Sequence, residues 1–266
     1  MQNVLITGAS SGIGLVTAKH LLNLGYKVYG TSRSLERLES IQGLQAIEMD
    51  LCSDASIASG WEKIEKAGGV DLVINNAGAG YIGSIEKMSL DEERRLFQIL
   101  VHGPMLLNRK VVSFFRKQGF GLLINVTSVA GILPIPFMSC YSSAKAAFIA
   151  YTSALRIETA GDSFRVVDLR PGDIRTSFNE AMTKGLEDSF YQDKLTKAWQ
   201  VIDKNLKEAP DPLCVAQKIE QIIQDKGAQE VYYVGDFFQT RIAPFLLRFA
   251  SSKLVTRAIL AYYKLD

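Results

Sequence analysis

The chain has 266 residues, 47% of them hydrophobic and 22% charged, with 30 basic side chains against 28 acidic ones. That is the balance of a folded globular protein with enough length for a sizeable core, and a formal charge of +2 is too small a bias to argue for a nucleic-acid partner. Only two histidines (His20 and His102) and three widely spaced cysteines (Cys52, Cys140 and Cys214) are present, which argues against a metal site and a Ser-His-Asp triad and predicts reduced core thiols.

Met1 to Ile6 run directly into a strand pattern with no charged and apolar leader, and no apolar stretch reaches the length of a membrane span, so a cytoplasmic protein is expected. Val4-Leu5-Ile6 ends in Thr7-Gly8-Ala9-Ser10-Ser11-Gly12-Ile13-Gly14, after which Leu15, Ala18, Leu21 and Leu22 recur at helical spacing. This reads as strand, glycine turn, helix. Such a turn aims backbone N–H groups and the positive end of a helix dipole at a pyrophosphate, which predicts a dinucleotide cradle at Gly8, Ser10, Ser11, Gly12, Ile13 and Gly14. The spacing is Gly-x-x-x-Gly-x-Gly rather than the commoner Gly-x-Gly-x-x-Gly.

Tyr26 to Thr31 read as a second strand, ending in Ser32-Arg33-Ser34. An acidic residue at this place would bind the adenosine ribose of NAD. Ser32 and Arg33 suit a 2′-phosphate instead, so NADP(H) is expected in preference to NAD(H). Ala46 to Leu51 read as a third strand. Asp50, with Leu51 beside it, either passes the adenine or caps the following helix, which spans 54–67. Val70 to Ile74 form a buried strand running into Asn75-Asn76-Ala77-Gly78, where small residues let backbone lie against a cofactor and the amides tie neighbouring strands together.

Ser89-Leu90-Asp91-Glu92 opens a long helix reaching about Arg116. Gly121 to Val126 are a fifth strand, which leads to Thr127-Ser128. The proline-rich, apolar run Ile132 to Met138 suits neither a helix nor an idle surface loop. In Tyr141-Ser142-Ser143-Ala144-Lys145 a phenol and an ammonium lie one helical turn apart, an acid beside a cation that can tune it. Arg165 to Leu169 form a sixth strand, followed by Pro171-Gly172-Asp173-Ile174-Arg175-Thr176. From 177 to 210 the periodicity weakens while aromatics persist, which suits a lid better than a core helix. Pro212 starts another helix, and Glu230 to Gly235 close the sheet as a seventh strand. The alternation predicts a single-domain α/β fold: a Rossmann-like, doubly wound, seven-stranded parallel sheet flanked by helices.

Taken together, the glycine turn, Asn75-Asn76-Ala77-Gly78, Ser128, Tyr141-x-x-x-Lys145 and Pro171-Gly172 with Thr176 resemble a classical short-chain dehydrogenase/reductase over roughly the first 235 residues. The resemblance implies that Tyr141 is the catalytic acid/base. Lys145 would lower its pKa and bind the nicotinamide ribose, and Ser128 would hold the substrate oxygen. Asn76, Ala77, Gly78, Pro171, Gly172, Ile174 and Thr176 would line the cofactor. It also implies a homodimer or homotetramer joined through the long helix and the one carrying Tyr141. One position departs from the family: Leu100 stands where an asparagine usually supports a proton-relaying water.

The apolar run and the lid predict a bulky, apolar carbonyl or alcohol substrate held by Leu133, Phe137, Met138 and Phe178. Within about 240–266, Ile242, Phe245, Leu246, Phe249, Leu254, Ile259 and Leu260 are interleaved with Arg241, Arg248, Lys253, Arg257 and Lys264. This is either a membrane-surface segment or an ordinary helix pair packed on the body. Lid and tail together resemble the branch of 17β-hydroxysteroid dehydrogenases, retinol dehydrogenases and acyl-dihydroxyacetone phosphate reductases. The leading expectation is thus an NADPH-dependent carbonyl reductase, and the alternative is an NADP(H)-binding regulator or scaffold that has lost turnover.

Overall fold

In the computed structural model, which describes residues 2–225, 229–247 and 249–266, successive residues of each central strand go to opposite layers. The elements in chain order are β1 (Asn3–Ile6), α1 (Gly12–Asn23), β2 (Lys27–Ser32), β3 (Gln45–Glu48), α2 (Asp54–Lys66), β4 (Leu72–Asn75), β5 (Tyr81–Gly83), α3 (Leu90–Phe97), α4 (Gly103–Gln118), β6 (Gly121–Val126), α5 (Ser139–Glu158), β7 (Phe164–Pro171), α6 (Phe178–Ala181), β8 (Thr183–Gly185), α7 (Gln192–Glu208), α8 (Leu213–Gln224), β9 (Val231–Val234), α9 (Ala243–Leu247) and α10 (Ser252–Tyr262).

Val4, Ile6, Ile74, Ile124 and Leu169 pack with Leu21 of α1 and Ile219 of α8 on one face. Leu5, Val73, Leu123 and Val166 pack with Trp61 of α2 and Val111 of α4 on the other. A side-chain period of two on strands covered on both faces makes the central strands β1, β4 and β6 largely apolar, as a doubly wound sheet requires, while the edge strand β3 is mostly exposed. The seven strands run β3-β2-β1-β4-β6-β7-β9, every pairing parallel. The expected seven-stranded sheet is therefore the observed one. Its order reverses between β1 and β4, so the C-terminal ends of those two strands open a crevice there.

Several local expectations are corrected. The third strand stops at Glu48, leaving Asp50 and Leu51 in the turn beyond it. The cap of α2 is Ser53, whose hydroxyl accepts from Ser56 N at 3.2 Å. Asp50 instead accepts from Cys52 N at 2.9 Å. The long helix is α3 and α4 joined by a wide π-type turn over Gln98–His102, and it ends at Gly119, whose left-handed φ of 83° lets its N–H return to Phe115 O. Cys52 is exposed rather than a core thiol.

The segment 177–210 contains α7, whose Leu195, Ala198 and Ile202 are buried; its few apolar residues sit on one face of a strongly polar helix, which hid the period. A small parallel pair, β5 with β8, ties this segment to the body. In the tail, Arg248 and the side chain of Leu246 lie outside the described residues, as does Met1. Among the described residues no helix is long and apolar enough to cross a membrane.

Candidate active site

The crevice holds a cleft of about 830 Å³, within the usual range of small-molecule sites. At its floor the glycine turn is held to β4 by Thr7. Its hydroxyl accepts from Asn76 N at 3.0 Å and Ala77 N at 3.1 Å, while Asn76 Nδ2 donates to Thr7 O at 3.0 Å. Thr7 opens the glycine turn read from the sequence, and its positioning role comes from the fold. Asn75 reaches Asn108 Oδ1 at 2.6 Å and Asn125 Oδ1 at 2.8 Å, so the amides tie strands and α4 together as expected.

Two glycines show why this turn admits a cofactor. A Cβ on Gly8, at φ +68°, would meet Ala77 Cα at 2.8 Å, and one on Gly14 would meet Gly8 O at 2.3 Å. Only bare backbone lets turn, helix and the β4 loop close to this distance. The N-cap of α1, Ser11, makes no side-chain cap, and the first turn carries no acidic residue. The leading N–H groups of α1 and its dipole are thus left to an anion. A dinucleotide pyrophosphate fits this donor set.

Gly8, Ser10, Ser11, Gly12, Ile13, Ser32, Arg33, Asp50, Leu51, Asn76, Ala77, Gly78, Pro171, Gly172, Ile174 and Thr176 all line the cleft, whereas Gly14 shapes the turn from behind. Arg37 lines it too; it ends the short 3₁₀ turn Leu35–Arg37 that follows Arg33, and neither arginine has an ion-pair partner among the described residues. The four-residue Arg-to-Arg spacing could have flagged it.

At the other end stand Ser128, Tyr141 and Lys145. β6 carries Ser128 just past its end, and α5 presents Tyr141 and Lys145 on the face that continues through the buried Phe148, Thr152 and Leu155. Lys145 Nζ donates to Val126 O at 3.0 Å and lies 6.0 Å from the centre of the Tyr141 ring. The Ser128 hydroxyl accepts from Ala130 N at 3.0 Å and turns toward Pro171 O at 3.5 Å.

Burial dominates the electrostatics. It pushes the Tyr141 phenol up to about 12, with the hydrogen bond to Ser128 pulling down and the Asp173 charge pushing up. Burial likewise brings the Lys145 ammonium down to about 8, opposed by the Asp168 carboxylate. The net direction at Tyr141 in the protein alone is therefore upward, and the pull opposing burial comes from Ser128. Asp168, unmarked in the sequence reading, is wholly buried, accepts from Thr127 Oγ1 at 2.5 Å and pairs with Arg170 at 2.6 Å.

Of the expected substrate residues, Leu133, Met138 and Phe178 line the cleft, and the Phe178 ring lies 5.8 Å from that of Tyr141. Phe137 does not; at φ +61° it packs beside Tyr191, ring centres 6.1 Å apart. Met182, Ile202, Leu254 and Ile259 complete the apolar wall, so the segment 177–210 and the tail both border the cleft. Leu100 is buried with Tyr81, Ile99, Cys140 and Ala144, and its Cδ2 approaches Gly78.

The sequence model of the short chain dehydrogenase family matches residues 2–187. A 3-ketodihydrosphingosine reductase from Bacteroides thetaiotaomicron is 31% identical over 259 residues, 95% of this chain and 92% of the relative. A short-chain dehydrogenase structure from Streptomyces avermitilis superposes with a TM-score of 0.83 at 27% identity, covering 99% of this chain and 96% of its own. A 3-ketoacyl-(acyl-carrier-protein) reductase from Brucella melitensis, solved with NADH, gives 0.75 at 26% identity over 88% of this chain and 96% of its own.

Proposed function

The chain belongs to the short-chain dehydrogenase family and is an NAD(P)-dependent oxidoreductase; we propose that within this family it is an NADPH-dependent reductase of a bulky, lipid-like ketone or aldehyde. The observation that carries this reading is the convergence of Ser128, Tyr141 and Lys145 in one cleft whose far end is the glycine turn. A dinucleotide-binding regulator without turnover would have no use for that convergence.

A nicotinamide cofactor held by the glycine turn would supply the hydride. The chain's own part is to hold the oxygen and the proton. Ser128 and the Tyr141 hydroxyl face the carbonyl oxygen, polarising it as charge develops there. A half-buried phenol held at about 12 keeps its proton near neutrality and gives it to the far more basic alkoxide. The Lys145 ammonium then stabilises the phenolate that remains.

Arg33, Arg37 and Ser32 on the cleft wall, with no carboxylate at the end of β2, support a 2′-phosphate and hence NADPH. The apolar wall contributed by the 177–210 lid and by α10 supports a lipid-like substrate, as does the 3-ketodihydrosphingosine reductase among the relatives. Phe237, Phe245 and Phe249 are exposed in a tail that carries Arg241, Lys253 and Arg257 and no acidic residue from Phe237 to Leu265. That pattern supports contact with an anionic membrane surface at the mouth of the cleft.

The test follows NADPH absorbance over a panel of long-chain, steroid and small polar carbonyls, with Tyr141→Phe as control. Reduction of long-chain ketones that the variant loses by about 10²–10⁴-fold is expected. Turnover confined to small polar carbonyls, or a fully active Tyr141→Phe, would sink the reading. Flotation with anionic against neutral vesicles tests the membrane contact.

A further inference from the structure

Asp168 is a fully buried carboxylate that the chemistry above leaves unused. It stands on β7 just before Leu169, whose carbonyl accepts from Thr127 N at 2.8 Å. Strand side chains alternate between faces. Val126 and Leu169 pack on the side of α1 and α8, and Val166 packs on the side of α2, α4 and Leu155 of α5, so Thr127 and Asp168 both point into the layer that holds α5. That helix lies over them: Thr152 accepts from Asn125 Nδ2 at 3.0 Å, and Lys145, about two turns earlier, donates to Val126 O at 3.0 Å. Lys145 Nζ and the Asp168 carboxylate therefore grip consecutive residues of one strand end, Val126 through its carbonyl and Thr127 through its hydroxyl.

The two oxygens of Asp168 have different partners. Oδ1 accepts from the Thr127 hydroxyl on the β6 side, while Oδ2 accepts from Arg170 Nε at 2.7 Å. Arg170 in turn donates to the Tyr233 hydroxyl of β9 at 3.0 Å and lies 5.5 Å from the centre of that ring. Because the strands run β6-β7-β9, the ion pair turns its negative end toward β6 and Lys145 and its positive end away. A buried ion pair is a weak source of stability, since desolvating both charges offsets their attraction, so its orientation matters more than its existence. The ionisable groups facing Lys145 among the described residues are Tyr141, one turn back on α5, and Asp168 from β7. The turn over Gln98–His102 packs on α5 through Leu100 and leaves His102 exposed, and from α3 the charges of Glu92 and Glu93 act on Cys140.

We propose that Asp168 is a positioning residue for the reduction, which through Thr127 holds Lys145 as an ammonium at the end of β6, where the developing phenolate of Tyr141 needs it. Asp168 does not line the cleft, so it acts only through Lys145. Its charge opposes the loss of the Lys145 proton that burial favours. This assignment rests on the carbonyl-reductase reading above.

The first measurement needs neither cofactor nor turnover: the rate at which an acetylating reagent modifies Lys145, followed by mass spectrometry from about pH 6 to pH 10. Only the neutral amine reacts, so the midpoint reports where the ammonium is lost. The wild type should give about 8, and Asp168→Asn should lower the midpoint by roughly one pH unit. Asp168→Asn combined with Arg170→Met leaves no guanidinium unpaired and should give the same shift, which keeps the test in force where the single variant fails to fold. The alkaline limb of kcat/KM for a reduced ketone should move by the same amount, so that the ratio of its value at pH 8 to that at pH 6 falls roughly fivefold. A merely structural Asp168 would lower the melting temperature and leave midpoint and limb in place, which overturns the assignment, as does a limb that moves without the midpoint. A wild-type midpoint below about 7 overturns it without any variant, since burial would then act unopposed. A midpoint that shifts as expected in a protein that reduces no carbonyl sinks the reductase reading and leaves the coupling of Asp168 to Lys145 standing.

Discussion

The Lys145 ammonium lies 6.0 Å from the centre of the Tyr141 ring while donating to Val126 O at 3.0 Å. One cation is thus fixed to the end of β6 and directed at the phenol that carries the proton. Its own proton is weakly held, because burial brings Lys145 down to about 8. The ammonium form dominates below that value and is lost as pH rises through it. Reductive kcat/KM should therefore be flat on the acid side and fall about tenfold per pH unit above about 8. A profile with no limb between pH 7 and 10 would show that Lys145 stays charged or does not matter.

Arg33 and Arg37 border the cleft beside Ser32 with no protein carboxylate engaged. Arg33→Ala should weaken NADPH by roughly 10–100-fold while leaving NADH within a few-fold, since only the 2′-phosphate loses its partner. Titrating both cofactors by fluorescence checks this, and equal losses would mean that Arg33 does not read the phosphate. Arg37→Ala should give a smaller effect of the same sign.

Leu100 is 1% exposed within an apolar cluster against which Tyr141 packs. Leu100→Asn removes that packing and buries an amide where the neighbours are hydrocarbon. A loss of about 2–4 kcal/mol of stability is expected, with no gain in kcat. A melting curve and a turnover assay decide it. A several-fold rise in kcat would show that a missing proton relay at this position limits the natural chain.

Asp188 anchors the segment 177–210. Its carboxylate accepts from Ser84 Oγ at 2.5 Å and from the N–H groups of Phe190 and Tyr191 at 2.8 and 2.7 Å. The Ser84 hydrogen bond, followed by those backbone donors, holds its pKa below the ordinary carboxyl value. A folded pKa depressed in this way means that the anchorage is complete above the unfolded value and is lost as pH falls through the folded one. Asp188→Ala should speed limited proteolysis within 177–210 at neutral pH and raise KM more than it lowers kcat. Unchanged cleavage would place the anchor in the β5–β8 pairing instead.

What the sequence determined by itself was local. The glycine turn between Ile6 and Gly14, the apolar central strands, and the Tyr141-to-Lys145 spacing are set by periods of two and about 3.6 residues and by backbone that only glycine adopts. Those constraints act within a few residues and can be read without a partner. The tertiary structure decided what depends on residues meeting across the chain. Gln239 reaches Asp173 from 66 positions away, Phe137 turns to Tyr191 rather than to the cleft, and α7 shows its apolar stripe only once packed on the body. Burial, a property of the assembled fold, outweighs the Ser128 hydrogen bond at Tyr141 and leaves the phenol holding its proton. Spacing brings two groups to one helix face, but desolvation by everything around them sets which way their protons lean.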